Sequence, residues 1–239
     1  MTEKSKMKTY QKGVRSALDN EFLRQAMDKF AVAYREAREK AFEGLDREAL
    51  IQDVAQRKDH ALGRLEALYQ QFKKRAREKG IFVHLADNAQ HANEIIATIA
   101  QVSESKRVIK SKSMTAEETL LNHYLEEKGF KVTETDLGEW IVQLRGETPS
   151  HMVMPAIHLS RYQVAELFSD VTGNRQDNDI DKLVKVARRE LRQKFVEADI
   201  GITGANFAIA DTATIGLNTN EGNARLVTTL PRIHVALVG

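Results

Sequence analysis

A chain of 239 residues suffices for one large or two modest domains and for a substantial core. Its 42% apolar and 29% charged composition is that of an ordinary soluble protein, and a net charge of +2 gives no argument for nucleic acid or an anionic membrane surface. The chain has no cysteine, which excludes disulfides, thiolate nucleophiles, Cys-ligated zinc and iron–sulfur ligation by these residues.

The charge is unevenly spread. Residues 1–80 carry 19 Lys and Arg against 13 Asp and Glu, and the remainder is acidic. The basic residues are interleaved with acids at helical spacing, so a solvated helix face is a better reading than a docking arm. The start, "MTEKSKMKTYQKG", lacks an apolar h-region, and no apolar run reaches 18 residues. A cytoplasmic protein with no membrane insertion is expected.

From Asn20 to about Lys79 the apolar residues Leu23, Met27, Phe30, Tyr34, Leu50, Val54, Leu65, Leu68 and Phe72 recur at helical intervals. A break is expected near Gly44, an interruption at "RKDH" (57–60), and a stop at Gly80. Helices over 20–79 are expected to pack across the rest of the chain, because their apolar stripe would otherwise face water. Beyond Gly80 the period changes. "IFVHLA" (81–86) reads as a strand, 88–105 as a helix, "RVIKSK" (107–112) as a strand, 115–129 as a helix and "KVTETDL" (131–137) as a strand. "HMVMPAI" (151–157) adds a further strand, and 160–170 and 179–198 are helices joined by the polar loop "TGNRQDN". Strand patterns at 201–210, 213–219 and 226–239 close the chain. Alternating strands and helices predict an α/β core with a parallel sheet at 80–239, behind an N-terminal helical extension at 1–79.

Four stretches carry candidate chemistry. In "VIKSKSMTAEETL" a strand ends beside Lys112 and Ser113, and Thr115 with Glu118 has the spacing of a capping box. A helix start at the carboxyl edge of a parallel sheet suits an anion, although capping by Ser113 or Thr115 with a solvated Lys112 explains the same residues. "ETDLGEW" brings together Glu134, Asp136 and Glu139, which suit a hydroxyl, a metal or a shared proton; an Asp capping the next helix is the plainer reading. His151 and His158 stand seven residues apart, which favours packed or capping histidines over a metal site, and no metal site is expected. The last stretch, "GITGANFAIADTATIGLNTNEGNAR", clusters Asn206, Asp211, Thr212, Thr214, Asn220, Glu221, Asn223 and Arg225 among Gly201, Gly204, Gly216 and Gly222. The glycines suit turns of positive φ and part of the polar cluster suits turn backbones. The chain has neither G-x-G-x-x-G nor G-x-x-x-x-G-K-[ST]. A polar cleft uniting Lys112, Ser113 and the "ETDLGE" loop with Asn206, Asp211, Thr212, Glu221, Asn223 and Arg225 is the site these residues predict.

Five phrases carry a resemblance: "KSKSM" at 110–114, "ETDLGEWIVQL" at 134–144, "PSHMVMPAIH" at 149–158, "ADIGITGANFAIAD" at 198–211 and "NEGNARLVTTLP" at 220–231. Together with "RKDHAL" at 57–62 they resemble, in order, the LUD domain of the lactate-utilisation iron–sulfur protein family, and within it the B proteins. The resemblance implies a layered α/β core like that of the ribose-phosphate isomerase and CoA-transferase group (NagB/RpiA/CoA transferase-like). It also implies a component of a bacterial multi-subunit system that oxidises L-lactate to pyruvate, with other lactate-utilisation subunits as partners. Full-length relatives carry two 4Fe-4S clusters in a ferredoxin-like region after the LUD domain. No cofactor is expected in this chain, which is then either part of a longer protein or a stand-alone LUD protein. The resemblance departs at "ADTATIGL" (210–217), where relatives have an "AETG" phrase, so Asp211 and Ala213 replace Glu and Gly. It supplies no catalytic residue. The alternative, from a different class, is an enzyme of the same fold group acting on a sugar phosphate or acyl-CoA.

Overall fold

A computed structural model describes residues 3–219 and 221–239. Asn220, one of the clustered polar residues, lies outside them. Four helices come first: α1 (Glu3–Asp19), α2 (Glu21–Ala41), α3 (Arg47–Leu62) and α4 (Leu65–Glu78). Asn20 caps α2 by accepting from the Leu23 amide at 3.0 Å, and Gly44 and Gly80 end α2 and α4 with positive φ. One expectation needs correction here. α3 runs straight through 57–60, where the i, i+4 pairs Asp53–Arg57 and His60–Arg64 mark the polar run. The next break falls instead at Gly63 and Arg64.

The core that follows is α/β. It contains α5 (Ala89–Val102), β1 (Arg107–Lys110), α6 (Met114–Glu118), α7 (Leu121–Glu127), β2 (Lys131–Glu134), α8 (Leu137–Arg145), α9 (Arg161–Thr172) and α10 (Ile180–Glu197). The chain ends with β3 (Ile200–Thr203), β4 (Phe207–Ile209), β5 (Thr214–Gly216), α11 (Asn223–Thr229) and β6 (Ile233–Ala236). β1, β2, β3 and β6 form one parallel sheet in the order β2–β1–β3–β6, while β4 and β5 form a separate antiparallel hairpin.

Successive side chains of a strand face opposite sides, and the core divides accordingly. Val108, Val132, Ile200 and Ile202 pack with Ile96, Ala97 and Ala100 of α5, Ala116 of α6 and Leu121 and Leu125 of α7. Ile109 turns the other way, toward Trp140 and Ile141 of α8, Phe168 of α9, Leu183, Val186 and Leu191 of α10 and Val227 of α11. The sheet is therefore covered by helices on both faces. Gly201 allows the closest approach in this layer: a Cβ there would lie 1.9 Å from the Val227 carbonyl oxygen.

Several predicted strands are something else. Residues 81–86 and 151–157 form no ladder, and Ile81, Phe82 and Leu85 stay exposed. An apolar run becomes a strand only where it pairs with a neighbouring edge, and neither segment pairs with β2 or β6, the two edges of the described sheet. "LEEKG" does end a helix, but the segment 115–129 is two helices, split where Leu120 adopts a left-handed φ of 53°. The strand expected over 131–137 stops at Glu134 so that Asp136 can cap α8. Residues 223–229 are helical, which confines the final strand to Ile233–Ala236. The T-x-x-E box does not form either: Ser113 is the cap of α6, accepting from the Ala116 amide at 3.3 Å.

α4 is tied to the core and the helices before it hardly are. Ala76 is fully buried, Lys79 Nζ donates to the Thr212 carbonyl at 2.7 Å, and Gln71 donates to Asp211. Among the described residues of α1, α2 and α3 none is buried. α2 half-covers Leu23, Met27 and Phe30, whose ring meets His151 edge-on at 5.5 Å. The expected packing across the core is thus present for α4, slight for α2 and absent for α3.

Candidate functional site

In the sheet order β2–β1–β3–β6 the chain leaves β1 to one side and returns as β3 on the other, which makes the carboxyl ends of β1 and β3 a switch point of the kind at which ligands gather in open α/β sheets. Lys110, Ser111, Lys112 and Ser113 lie at the end of β1. Glu134, Thr135 and Asp136 end β2, and Thr203 and Gly204 end β3. The Ser111 amide donates to the Ile202 carbonyl at 3.0 Å, and Gly204 fits against Ser113, whose Oγ would lie 3.1 Å from a Cβ there. The β1 and β3 ends are therefore in direct contact.

At this switch point lies a buried ionic cluster. Lys110 is wholly buried, and its Nζ lies 2.9 Å from both Glu134 Oε1 and Glu117 Oε1. Asn122 Nδ2 donates to the same Glu134 Oε1. Burial alone would lower the Lys110 ammonium, but Glu134 and Glu117 outweigh it and hold its pKa above the ordinary value. Lys110 is the cation of the cluster at any physiological pH.

Glu139 stands at the rim of this cluster with 5% of its surface exposed, 4.0 Å from Lys112 Nζ. Burial first, then Glu134 and Glu117, push its carboxyl up to about 7, against the pull of Lys110 and Lys112. Lys112 itself donates to the Val153 carbonyl at 2.8 Å, which brings the 150–157 turn against the end of β1. Pro155 of that turn seats on Gly138, where a Cβ would come within 2.8 Å. His151 accepts from the Val153 and Met154 amides at 3.1 and 3.2 Å, and His158 is held between Ser150 and Glu147. Both histidines are structural, and no group of three metal-ligating side chains occurs among the described residues.

Some of the residues expected to form a cleft lie together. Lys112, Ser113, Glu134, Asp136 and Glu139 share the sheet edge, and two residues of the last stretch join them. Glu221 Oε2 accepts from the Leu137 amide at 3.1 Å, and Asn223 Nδ2 donates to Thr135 Oγ1 at 3.1 Å. Asp136 itself caps α8 by accepting from Gly138 and Glu139. The other four go elsewhere. Asn206 accepts from the Asn218 amide at the neck of the β4–β5 hairpin, and Asp211 and Thr212 face α4. Arg225 is exposed, and its carbonyl serves the Thr228 and Thr229 hydroxyls. Hairpin geometry accounts for three of these: β4 and β5 pair with each other rather than with the sheet, so Asn206, Asp211 and Thr212 stay with the hairpin, while Arg225 stands on α11. Of the four glycines expected in positive-φ turns only Gly222 has one, and Gly216 makes room for the Phe207 ring.

Lys110, Glu117, Asn122, Thr203 and His234 were not singled out by sequence. His234 meets Thr203 Oγ1 at 2.9 Å on the β3–β6 step, and burial lowers its pKa, so the ring is neutral. A signal for Lys110 did exist: it stands two residues after Val108, on the inward side of a central strand.

The LUD domain family description matches residues 69–239. Lactate utilization protein B of Oceanobacillus iheyensis is 39% identical over 232 residues, covering 97% of this chain and 48% of that protein. The Bacillus subtilis (strain 168) protein of the same name is 39% identical over 235 residues, 96% of this chain and 48% of its own length. The uncharacterized electron transport protein YkgF of Escherichia coli (strain K12) is 41% identical over 186 residues, 78% of this chain and 39% of that protein. The chain spans about half the length of the curated relatives it matches. No solved structure matches it. A matched span that begins inside α4 and runs to the last residue takes in the whole sheet, and the chain belongs to the LUD domain family.

Proposed function

We propose that this chain is the LUD part of a cytoplasmic lactate-utilisation component, in which the crevice at the ends of β1 and β3 holds a small organic anion and the N-terminal helices face other subunits. Electrons from lactate oxidation to pyruvate would pass through 4Fe-4S clusters outside this chain, since it has no thiolate to ligate one. Names of relatives at about 40% identity support the lactate-utilisation role. The parallel sheet with helices on both faces supports a layered core of the ribose-phosphate isomerase and CoA-transferase kind.

The observation that carries the anion reading is the placement of Lys112. Its side chain is 24% exposed at the switch point of a parallel sheet, and its nearest carboxylate, Glu139, is too far for a hydrogen bond. The helix start beside it contributes less than its sequence suggests, because Ser113 already takes the Ala116 amide. The test is growth on L-lactate as sole carbon source by a bacterium whose LUD-containing subunit is built around this chain. Lys112→Ala should abolish growth while the subunit still accumulates. Undiminished growth would remove the anion site from the account.

A further inference from the structure

We propose that a second copy of this chain covers the exposed apolar faces of α1 and α3, so that the N-terminal helices build a symmetric dimer. This names a subunit those helices face, and it rests on the reading of them as a docking surface.

The chain exposes 16819 Å² of surface, whereas a compact monomer of its 27.0 kDa would expose about 10,800 Å². The excess of roughly 6,000 Å² per chain is more than a permanent dimer needs, since such interfaces bury about 2,000–5,000 Å² in all. Helices of 17 and 16 residues draw most of their stability from packing one face, yet no described residue of α1 or α3 is buried. Met7, Tyr10, Val14 and Leu18 of α1 are between 40% and 68% exposed, and Leu50, Ile51, Val54 and Leu62 of α3 between 43% and 71%. A single subunit therefore leaves both faces to water.

The placement of charge favours a second copy as the cover. With Met7 as the first position of a heptad, Met7, Tyr10, Val14 and Ala17 fall on the seam of α1, and Gln11, Gly13 and Leu18 flank it. None of these is charged. The cations Lys8, Lys12 and Arg15 all fall on the outer positions of the same heptads. A symmetric contact brings each residue near its own counterpart, so a face carrying cations would repel its copy, and this face carries none. On an anionic lipid surface the same outer cations would point away from the headgroups they should meet. α3 carries three acids and three bases, of which Asp53 and Arg57 already pair with each other, so it too can approach a copy of itself without net repulsion.

Sedimentation equilibrium of the 239-residue chain, with small-angle scattering for its shape, tests this. At tens of micromolar the mass should be twice the 27.0 kDa of one chain. The double variant Val14→Asp, Val54→Asp puts a charge into each apolar face and should raise the dissociation constant by at least about tenfold, with loss of helical ellipticity as α1 and α3 lose their packing. Both residues are exposed in the single chain, so the core should keep its cooperative melt. Lys12→Asp, on the outer side of α1, should leave the dimer unchanged. A dimer that the double variant does not weaken would overturn the assignment of these faces. A single chain with an extended arm would overturn the second copy and leave the helices open to a different subunit. A single compact chain would overturn both, because the arm would then lie on its own core. A single chain that sediments with phosphatidylglycerol vesicles would overturn the second copy in favour of a lipid surface.

Discussion

Lys110 and Glu134 are register partners on adjacent parallel strands, and the ammonium meets the carboxylate at 2.9 Å with both side chains almost wholly buried. Taking two charges out of water is expensive, and removing one member of such a pair strands the other. Lys110→Ala is therefore expected to cost about 3–5 kcal/mol of folding stability, read from urea denaturation. The double variant Lys110→Met, Glu134→Gln should recover much of that loss. A single-variant loss below about 1 kcal/mol would mean that the pair is hydrated in solution.

Glu139 gives the fold a pH dependence whose sign is fixed. Its folded pKa of about 7 lies above the ordinary 4.5, so the folded state binds the proton more tightly than the unfolded chain. The associated stability is full below 4.5, declines as pH rises, and is lost once pH passes about 7. The whole swing is roughly 3 kcal/mol. Glu139→Gln, which cannot ionise, should be more stable than the natural chain at about pH 8, with the gap closing as pH falls toward 5. Melting temperatures of the two proteins across that range check it, and parallel curves would contradict it.

Lys112 and Asn223 should separate binding from stability. Lys112→Ala removes a partly exposed ammonium and one bond to the Val153 carbonyl, so a change below about 1 kcal/mol is expected alongside loss of anion binding. Asn223 joins α11 to Thr135 of the sheet edge, and Asn223→Ala should lower stability by about 1 kcal/mol. Thermal melts with and without L-lactate distinguish the two variants.

Ala213 sits in the hairpin turn with a φ of 49°, a conformation that suits glycine. Ala213→Gly should be neutral to stabilising by up to about 1 kcal/mol. Ala213→Val should be destabilising by at least that much, since a β-branched side chain fits the left-handed region poorly. Denaturation midpoints of the two variants decide the matter.

The N-terminal helices offer a deletion test. Removing residues 1–62 takes away helices in which no described residue is buried, and the remainder should still melt cooperatively. Removing residues 1–79 also takes the buried Ala76 and the Gln71 and Lys79 bonds to the hairpin, and should lower the melting temperature further.

What sequence could not supply follows from how strands and helices are chosen. Helix ends were readable because caps are local: Asn20, Gly44, Gly80 and Asp136 act within a few residues of themselves. Strands depend on partners far along the chain, so "IFVHLA" and "HMVMPAI" read as strands and are not. The site divides in the same way. Polar clustering pointed to Lys112, Glu139, Glu221 and Asn223, which lie together at the sheet edge, whereas Glu117 and Asn122 join the buried cluster only because α6 and α7 lean over β1 and β2. Asp211 and Thr212 looked equally promising in sequence and belong to the clamp on α4.

The crevice at the ends of β1 and β3 is the central claim, and amide NMR during titration with L-lactate and pyruvate tests it most directly. The account predicts saturable shifts at Lys112, Ser113, Thr135, Leu137 and Gly204, lost in Lys112→Ala. Shifts confined to the hairpin or to α1–α3, or a spectrum that does not change, would contradict it.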